Sequence, residues 1–484
     1  MSRYLALDLG AESGRAIAGT LDNGRLTIEE LHRFPNPTLR ERDSLYWDIP
    51  GLWSGIRRGI EIAAFDRGLH LDGIGVDTWG VDYALVRPDG DLAERPRHYR
   101  DPRNAAAMKE VLALVPREDV FGYTGVQFMQ INTLFQVWAA KRNGSGAFDG
   151  ARRLLHMPDL FNYWLTGEAR AEISIASTSQ FFNPASMTWA TELLARLDIH
   201  TEMLCELIDP GTLLGTMKTP PHTPVYAVAG HDTGSAVAAV PSHGGDNWCY
   251  ISSGTWSLMG LELPAPVINA KTLAANLTNE VGVGKTIRLL KNIAGLWLLQ
   301  ECRRAWVEEG RLYRYEQLTE MAAEARPFAA TIDCDVFLDP GSMPRQIANH
   351  CRHTGQEPPA TDGEFARSIL ESLAMRYRSV LENLESVAGR RIEVIHIVGG
   401  GSQNMLLNQF VADCTGRVVV AGPGECTAIG NILVQAMGAG ELHGLKQIRE
   451  VVRQSFAPVT IEPQPSAEWE DAYRRYQRRA HAGS

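Results

Sequence analysis

The sequence predicts an α/β protein of two domains, and three observations carry that reading. Residues 225 to 240 run as an apolar strand, a polar turn at Gly230, His231, Asp232, Thr233 and Gly234, and the start of a small-residue helix. Such a turn lies at the carboxyl end of a buried strand, where open α/β folds place their ligand crevices. The chain has 484 residues, too many for one core when domains run to roughly 100–200 residues. Finally, Trp-Cys-Tyr-Ile-Ser-Ser-Gly-Thr-Trp-Ser-Leu-Met-Gly from residue 248 aligns with the N-terminal stretch at an offset of 244. That alignment pairs Gly10 with Gly254 and Ser13 with Ser257, as two copies of one strand-loop-strand unit would.

Charge narrows the function classes. With 47 basic and 57 acidic side chains the net charge is -10, which argues against a phosphate-backbone binder and leaves small molecules as the expected partners, with no nucleic acid. Seven cysteines, an odd number without a CxxC pair, suggest neither a disulfide framework nor a zinc knuckle, and a cytoplasmic setting is expected. His350-Cys351-His353 has no second ligand pair nearby and reads as solvated loop. The first residues enter a strand directly, and no apolar run approaches about 18 residues, so neither a signal peptide nor a membrane span is expected.

Taken in order, residues 4 to 9 form a buried-strand pattern, followed by Gly10-Ala11-Glu12-Ser13-Gly14-Arg15, a second strand to Thr20 and a hairpin turn at Asn23-Gly24. The first turn reads either as a cradle whose N–H groups face an anion or as an ordinary tight hairpin. After a helix around 51 to 66 comes Ile74-Gly75-Val76-Asp77-Thr78-Trp79-Gly80-Val81-Asp82, again strand, polar turn, strand, with Asp89-Gly90 closing another hairpin. Trp79 there is a stacking surface for a sugar or half-buried core, and the two carboxylates are acceptors for hydroxyl protons. Segments 103 to 115, 131 to 141 and 156 to 165 have helical spacing, the last ending at Thr166-Gly167. Asp232, on the central turn, is a candidate catalytic base or a cap of the helix that follows.

The second half repeats these devices. Asp8 of the first copy corresponds to Ser252 in the second, so one cradle carries a carboxylate suited to a cation and the other does not. Gly282-Val-Gly-Lys-Thr286 fails as a P-loop because Asn279 stands where the motif needs glycine. Asn292, before an apolar helix through Leu296 to Leu299 and Gln300, is a hydroxyl ligand or a cap. A core helix from 364 to 388 has a Thr361/Glu364 capping box and ends at Gly389. Strand 394 to 398 then leads into Gly399-Gly400-Gly401-Ser402-Gln403-Asn404, where glycines permit close approach of a flat ligand but Asn404 breaks the dinucleotide fingerprint. Arg474, Arg475, Arg478 and Arg479 make a solvated basic face on a terminal helix whose other face carries Trp469, Tyr473 and Tyr476.

Taken together, Asp8-Leu-Gly-Ala-Glu-Ser-Gly-Arg15, Gly230-His-Asp-Thr233, Ser253-Gly-Thr-Trp-Ser257 and Val398-Gly-Gly-Gly-Ser-Gln-Asn404 resemble the FGGY family of carbohydrate kinases, within the actin/hexokinase/Hsp70 superfamily. Asp77-Thr-Trp-Gly-Val-Asp82, Gln127, Ile131-Asn-Thr-Leu134, Met157-Pro-Asp159 and Leu290-Lys-Asn-Ile-Ala-Gly-Leu-Trp-Leu-Leu-Gln300 are most similar to the members that act on L-rhamnulose. The likeness runs from residue 4 to about residue 455. It implies two ribonuclease-H-like domains around a central cleft, each a mixed five-stranded sheet with flanking helices. The N-terminal domain, 1–243, would bind sugar and carry the first phosphate loop; 244–455 would bind ATP; 456–484 would form a tail helix. The implied reaction is ATP- and Mg²⁺-dependent phosphorylation of L-rhamnulose to L-rhamnulose 1-phosphate. By carry-over, Ala11, Glu12, Ser13, Gly14, Arg15, Thr255, Gln300 and Gly400 would contact ATP. Gly80, His231, Asp232, Thr233 and Asn292 would contact the sugar, with Asp232 as base, and Asp8 would organise Mg²⁺. Glu12 departs from relatives that carry a small polar residue in this loop.

Overall fold

The computed structural model describes residues 1–337, 341–464 and 466–482. They form two compact units. Unit 1 comprises Met1–His243, Glu262–Leu289 and Cys426–Phe456; unit 2 comprises Gly244–Leu261, Leu290–Glu425 and Ala457–Ser484.

In unit 1, β1 (Ser2–Leu9), β2 (Ser13–Asp22) and β3 (Arg25–Pro35) form the expected meander. The turn between β2 and β3 places Asn23 and Gly24 at φ 49° and 75°, the left-handed conformation a primed hairpin turn requires. Next come β4 (Gly73–Thr78), β5 (Thr212–Thr216) and β6 (Pro224–Ala227). The spatial order is β3-β2-β1-β4-β6-β5. β1, β4 and β6 run parallel, β2 and β5 antiparallel to their neighbours. Leu5, Leu7, Ile74, Val76 and Val225 are fully buried, as expected for parallel strands covered on both faces. One cover is the helix Ile49–Glu61, which continues into a π-helical turn at Ile62–Asp66 and buries Leu52, Ile56 and Ile60. Another is the helix Cys426–Gly438. It crosses the helix Asp232–Ala238 so closely that a Cβ on Gly430 would lie 1.8 Å from the Ser235 carbonyl oxygen. Only glycine fits there.

The expected helices form at Arg103–Leu114, Thr133–Arg142 and Met157–Thr166, the last closed by Gly167 at φ 84°. The first two, with the helices Arg117–Thr124 and Thr191–Arg196, gather a second apolar cluster around Val111, Phe121, Leu134, Phe135 and Leu193. The Asp89-Gly90 turn closes a short hairpin: the Arg87 amide bonds the Asp91 carbonyl at 2.9 Å, the Ala93 amide bonds the Leu85 carbonyl at 2.7 Å, and Leu92 bridges Val86. The strand Tyr83–Val86 also pairs antiparallel with Arg153–His156.

Unit 2 repeats the plan with β7 (Trp248–Ser253), β8 (Ser257–Leu263), β9 (Ile287–Ile293, in unit 2 from Leu290), β10 (Val394–Val398), β11 (Val418–Ala421) and β12 (Val459–Ile461). The order β9-β8-β7-β10-β11-β12 matches unit 1 strand for strand. Each unit is therefore the five-strand ribonuclease-H-like sheet plus one antiparallel edge strand. The copies diverge at the turn. In unit 1 the Gly10 amide bonds the Ser13 carbonyl, whereas in unit 2 the Gly254 amide bonds the Trp256 carbonyl, one residue sooner. The ungapped alignment therefore holds to Gly254 and then slips, and Ser257 is not the structural counterpart of Ser13.

Elsewhere in unit 2 the core helix spans Asp362–Ala388, with Thr361 capping the Glu364 amide and Gly389 at φ 66°. The capping box is one residue displaced, because Glu364 reaches back to the Ala360 amide at 2.7 Å. His350 and Cys351 lie on the helix Met343–His353 with Cys351 buried, where a solvated loop was expected. The terminal helix Ala467–Ala482 buries Trp469, Tyr473 and Tyr476. Arg474 is exposed, while Arg479 donates to Thr331 Oγ1 at 2.5 Å.

Candidate functional site

The ends of three parallel strands assemble the unit 1 site. Asp8 on β1 and Asp77 on β4 are direct register partners, and Thr78 bridges His231 beyond the end of β6. Sequence-distant carboxylates thus meet at one sheet edge. Asp8 is 4 % exposed and takes an ion pair from Arg15, its register partner on β2. Asp77 is fully buried; its Oδ2 accepts from Asn431 Nδ2 at 2.5 Å and its Oδ1 has no partner among the described residues. Burial, and then the Asp8 charge, push the Asp77 pKa well above the usual carboxylate range.

Asp232 opens the helix Asp232–Ala238, but the cap position belongs to His231. Its Oδ1 accepts from the Thr233 amide at 2.6 Å and from Thr233 Oγ1 at 3.2 Å, with His231 Nε2 at 3.4 Å. Asp232 therefore orders its own turn and leaves Oδ2 unengaged among the described residues. Its side chain stays 30 % exposed. The surrounding protein raises its pKa, the His231 ring opposes that, and Asp8 adds to it. Beneath the turn, Glu172 Oε2 accepts from the Gly230 amide at 2.8 Å and Ser174 Oγ from the His231 amide at 3.3 Å. Gly80 completes the group: a Cβ there would stand 3.3 Å from His231 Nε2.

The 10–15 turn is pinned through its carbonyls. Asn36 donates its side-chain amide to Gly10 O and its main-chain amide to Glu12 O, both at 3.0 Å. In a trans peptide the N–H opposes the C=O, so the amides of Ala11 and Ser13 point away from Asn36. That is the geometry of an anion cradle, with Glu12 exposed beside it.

Asp82, expected as a hydroxyl acceptor, is not one. It is 1 % exposed and accepts from Trp47 Nε1 at 2.5 Å, Trp79 Nε1 at 2.9 Å and Gln136 Nε2 at 2.8 Å. Trp79 is itself buried, its ring 4.1 Å from that of Trp47, so it is core and no stacking surface.

Unit 2 holds the remaining candidates. Thr255 sits in the β7–β8 turn, where its carbonyl accepts from the Trp297 amide at 3.0 Å. Gln300 lies one turn into the helix Trp297–Glu308, and its Oε1 has no partner among the described residues. Asn292 is within β9, half-buried, and caps no helix, since the cap before Trp297 is Leu296. The triple glycine packs on β7: a Cβ on Gly401 would meet Ser253 Oγ at 2.0 Å, and Gly399 adopts φ 81°. Gly400 faces open space, with nothing within 4 Å of a Cβ placed on it.

Two members of the site escaped the sequence. Glu280 and Arg288, on the strand Thr278–Val281 and on β9, form a buried ion pair of 3.0 Å whose carboxylate also meets His231 Nδ1 at 3.0 Å. The signal was present as charged residues inside otherwise apolar strands, which persist only when paired. Between them, Gly282 to Thr286 is a tight turn closed by the Gly282 amide on the Thr286 carbonyl at 2.7 Å, with Gly284 at φ 70°. Asn279 bonds the Gly125 carbonyl and the Val267 amide. No phosphate loop exists there.

A ribonuclease-H-like sheet in both units, glycine turns at β1–β2 and after β10, and a partly exposed carboxylate at a strand end are the features that the resemblance to sugar kinases implies. Comparison with known proteins agrees. Residues 3–237 match the N-terminal domain, and residues 249–439 the C-terminal domain, of the FGGY family of carbohydrate kinases. The chain belongs to that family. It is 45 % identical over 479 residues to a rhamnulokinase of Bacteroides thetaiotaomicron, covering 97 % of this chain and 98 % of that one. It is 39 % identical to the rhamnulokinase of Enterococcus faecalis, over 96 % and 94 % of the two chains. Among solved structures, a xylulose kinase from Lactobacillus acidophilus superposes with a TM-score of 0.80 at 14 % identity, covering 100 % of this chain and 98 % of that one. Glycerol kinase from Plasmodium falciparum gives 0.75 at 14 % identity, with 100 % and 97 % covered. These two matches concern the fold alone.

Proposed function

We propose that the chain is an ATP-dependent kinase of L-rhamnulose, transferring a phosphoryl group to the primary hydroxyl and yielding L-rhamnulose 1-phosphate in the cytoplasmic breakdown of L-rhamnose. The single observation that carries the substrate is the 45 % identity to a rhamnulokinase across essentially the whole chain. In this reading residues 1–243 bind most of the sugar and carry the first phosphate loop, 244–455 bind most of the ATP, and 456–484 form a tail helix.

The chemistry follows from the residues. A sugar hydroxyl is a poor nucleophile at neutral pH, so a carboxylate within hydrogen-bond reach must orient it and take its proton as the P–O bond forms. Asp232 is suited to that role, having one oxygen engaged by Thr233 and the other unengaged. Gly80, His231, Thr233 and Asn292 are the proposed sugar contacts. Ala11 to Arg15, Thr255, Gln300 and Gly400 are the proposed ATP contacts. The outward amides at Ala11 and Ser13 and the open face of Gly400 fit an anion and a flat base respectively. Asp8, nearly buried at the end of β1 with Asp77 as its register partner, is the proposed carboxylate for Mg²⁺, which would neutralise phosphate charge. Asp8 would hold it through water, since Mg²⁺ dehydrates reluctantly.

The test is ADP release from ATP and Mg²⁺ against a panel of ketoses and polyols. Turnover highest with L-rhamnulose is expected. A higher kcat/KM for another acceptor would reassign the substrate, and ATP turnover indifferent to every acceptor would favour an actin-like ATPase switch.

A further inference from the structure

His231 lies between two carboxylates, and only one of them belongs to the proposed reaction. On its Nδ1 side stands Glu280 Oε2 at 3.0 Å, and on its Nε2 side Asp232 Oδ1 at 3.4 Å. Glu280 is 4 % exposed and its companion Arg288 is wholly buried. Burial raises the Glu280 pKa, but the Arg288 guanidinium and the His231 ring outweigh burial and bring it below the usual value. An ionised carboxylate only accepts hydrogen bonds, so the ring nitrogen facing it must carry the proton. Arg288 Nη2 is 3.3 Å from the same ring nitrogen but has other acceptors, Glu280 Oε2 at 3.0 Å and Val281 O at 3.2 Å. The proton of a neutral His231 is thereby placed on Nδ1, and Nε2 presents a lone pair beside Asp232 and Gly80.

We propose that Glu280, held by Arg288, is a positioning residue: it fixes the Nδ1–H tautomer and the ring orientation of His231, so that Nε2 accepts a hydrogen bond from a non-reacting hydroxyl of the sugar, beside the hydroxyl whose proton goes to Asp232. This rests on the sugar-kinase reading of the same site. The arrangement is that of a functional histidine oriented by an outer carboxylate, in which the second nitrogen does the contacting. A purely structural ion pair would not need His231 as its third member.

The experiment begins with the unaltered protein. ¹⁵N-histidine spectra, with the His231 signal assigned by its loss in His231→Gln, report which ring nitrogen is protonated. At pH values where the ring is neutral, a proton on Nδ1 and a bare Nε2 are expected; a proton on Nε2 overturns the proposal. Steady-state kinetics follow with Glu280→Gln. Because this strands a buried guanidinium, the neutral pair Glu280→Gln/Arg288→Met is tested beside it. Both should lose about 10- to 100-fold in kcat/KM for the sugar, the usual effect of removing such an outer partner, with KM for ATP unchanged. Folded variants that keep wild-type sugar kinetics, or that lose sugar and ATP affinity alike, refute a positioning role. If the unaltered enzyme turns over no ketose, the kinase reading fails, while the spectra still decide the tautomer.

Discussion

Asp232→Asn separates a kinase from an ATPase of similar fold, and its effect can be worked from the hydrogen bonds around the side chain. Oδ1 is fixed by the Thr233 amide at 2.6 Å, a bond that the carbonyl oxygen of asparagine retains. The new NH₂ group must then occupy the place of Oδ2, the unengaged oxygen. A hydroxyl that would donate to a carboxylate meets a donor instead, so proton removal is lost and the hydrogen bond reverses. General-base contributions run to about 10²–10⁴-fold, or roughly 3–5 kcal/mol of barrier at 1.36 kcal/mol per tenfold. Sugar-dependent turnover should fall by that factor with ATP affinity unchanged, and slow hydrolysis of ATP by water should persist. The assay is the ratio of sugar phosphate formed to ATP hydrolysed at saturating Mg²⁺. The pH profile gives a second reading. The raised Asp232 pKa puts the acid limb of wild-type kcat/KM above the usual carboxylate range, and the variant should lack that limb. A variant phosphorylating L-rhamnulose within a few-fold of wild type would refute the assignment.

Five further outcomes are expected. Asp8→Asn should raise the Mg²⁺ requirement and lower turnover while sugar binding, followed by calorimetry, is retained. Gly400→Val should weaken ATP binding in a protein of normal Tm, because the added side chain enters space free of protein atoms; Gly401→Ala should lower Tm, because its Cβ would lie 2.0 Å from Ser253 Oγ. Burial raises the Asp82 pKa to about 7, so the folded protein holds a proton that the unfolded chain has already released above its ordinary value of 3.8. Stability from that group is complete below about pH 4 and is lost as pH rises towards 7, up to about 4 kcal/mol; urea titrations should show Asp82→Asn removing this slope. Asp77→Asn, which mimics a protonated carboxyl, should keep turnover within a few-fold of wild type in the same coupled assay.

How far the residues foretold this can be judged from particular cases. Strand β1, the helix from Asp362 and both glycine turns were legible because period, caps and left-handed glycines are local properties. The duplicated hairpin was legible too, but its one-residue slip was not, since a turn length is set by which carbonyl the first glycine amide finds. Asp82 misled because a carboxylate two residues after a Trp-Gly turn looks available in one dimension. Its partners Trp47 and Gln136 are 35 and 54 residues away. Glu280 was missed for the same reason, because the histidine it contacts is 49 residues distant.

The three clustered carboxylates pose a choice of base that proximity alone does not decide. Asp8 and Asp232 both raise the pKa of Asp77, and Asp8 raises that of Asp232, because neighbouring carboxylates resist ionising together. Burial decides which one yields. Asp77 is wholly enclosed, with Asn431 donating to one oxygen, so it is the group driven furthest towards its neutral form, and no hydroxyl can reach it. Asp8 is nearly as enclosed, and its Oδ2 is already engaged by the Arg15 guanidinium rather than open to a hydroxyl. Asp232 alone combines access to solvent with an unengaged oxygen, and its elevated pKa makes it a stronger base than an ordinary aspartate while leaving it titratable. Neutralising Asp77 lowers the negative charge against which Asp232 must ionise. The buried carboxyl thus supports the base by giving up its own charge.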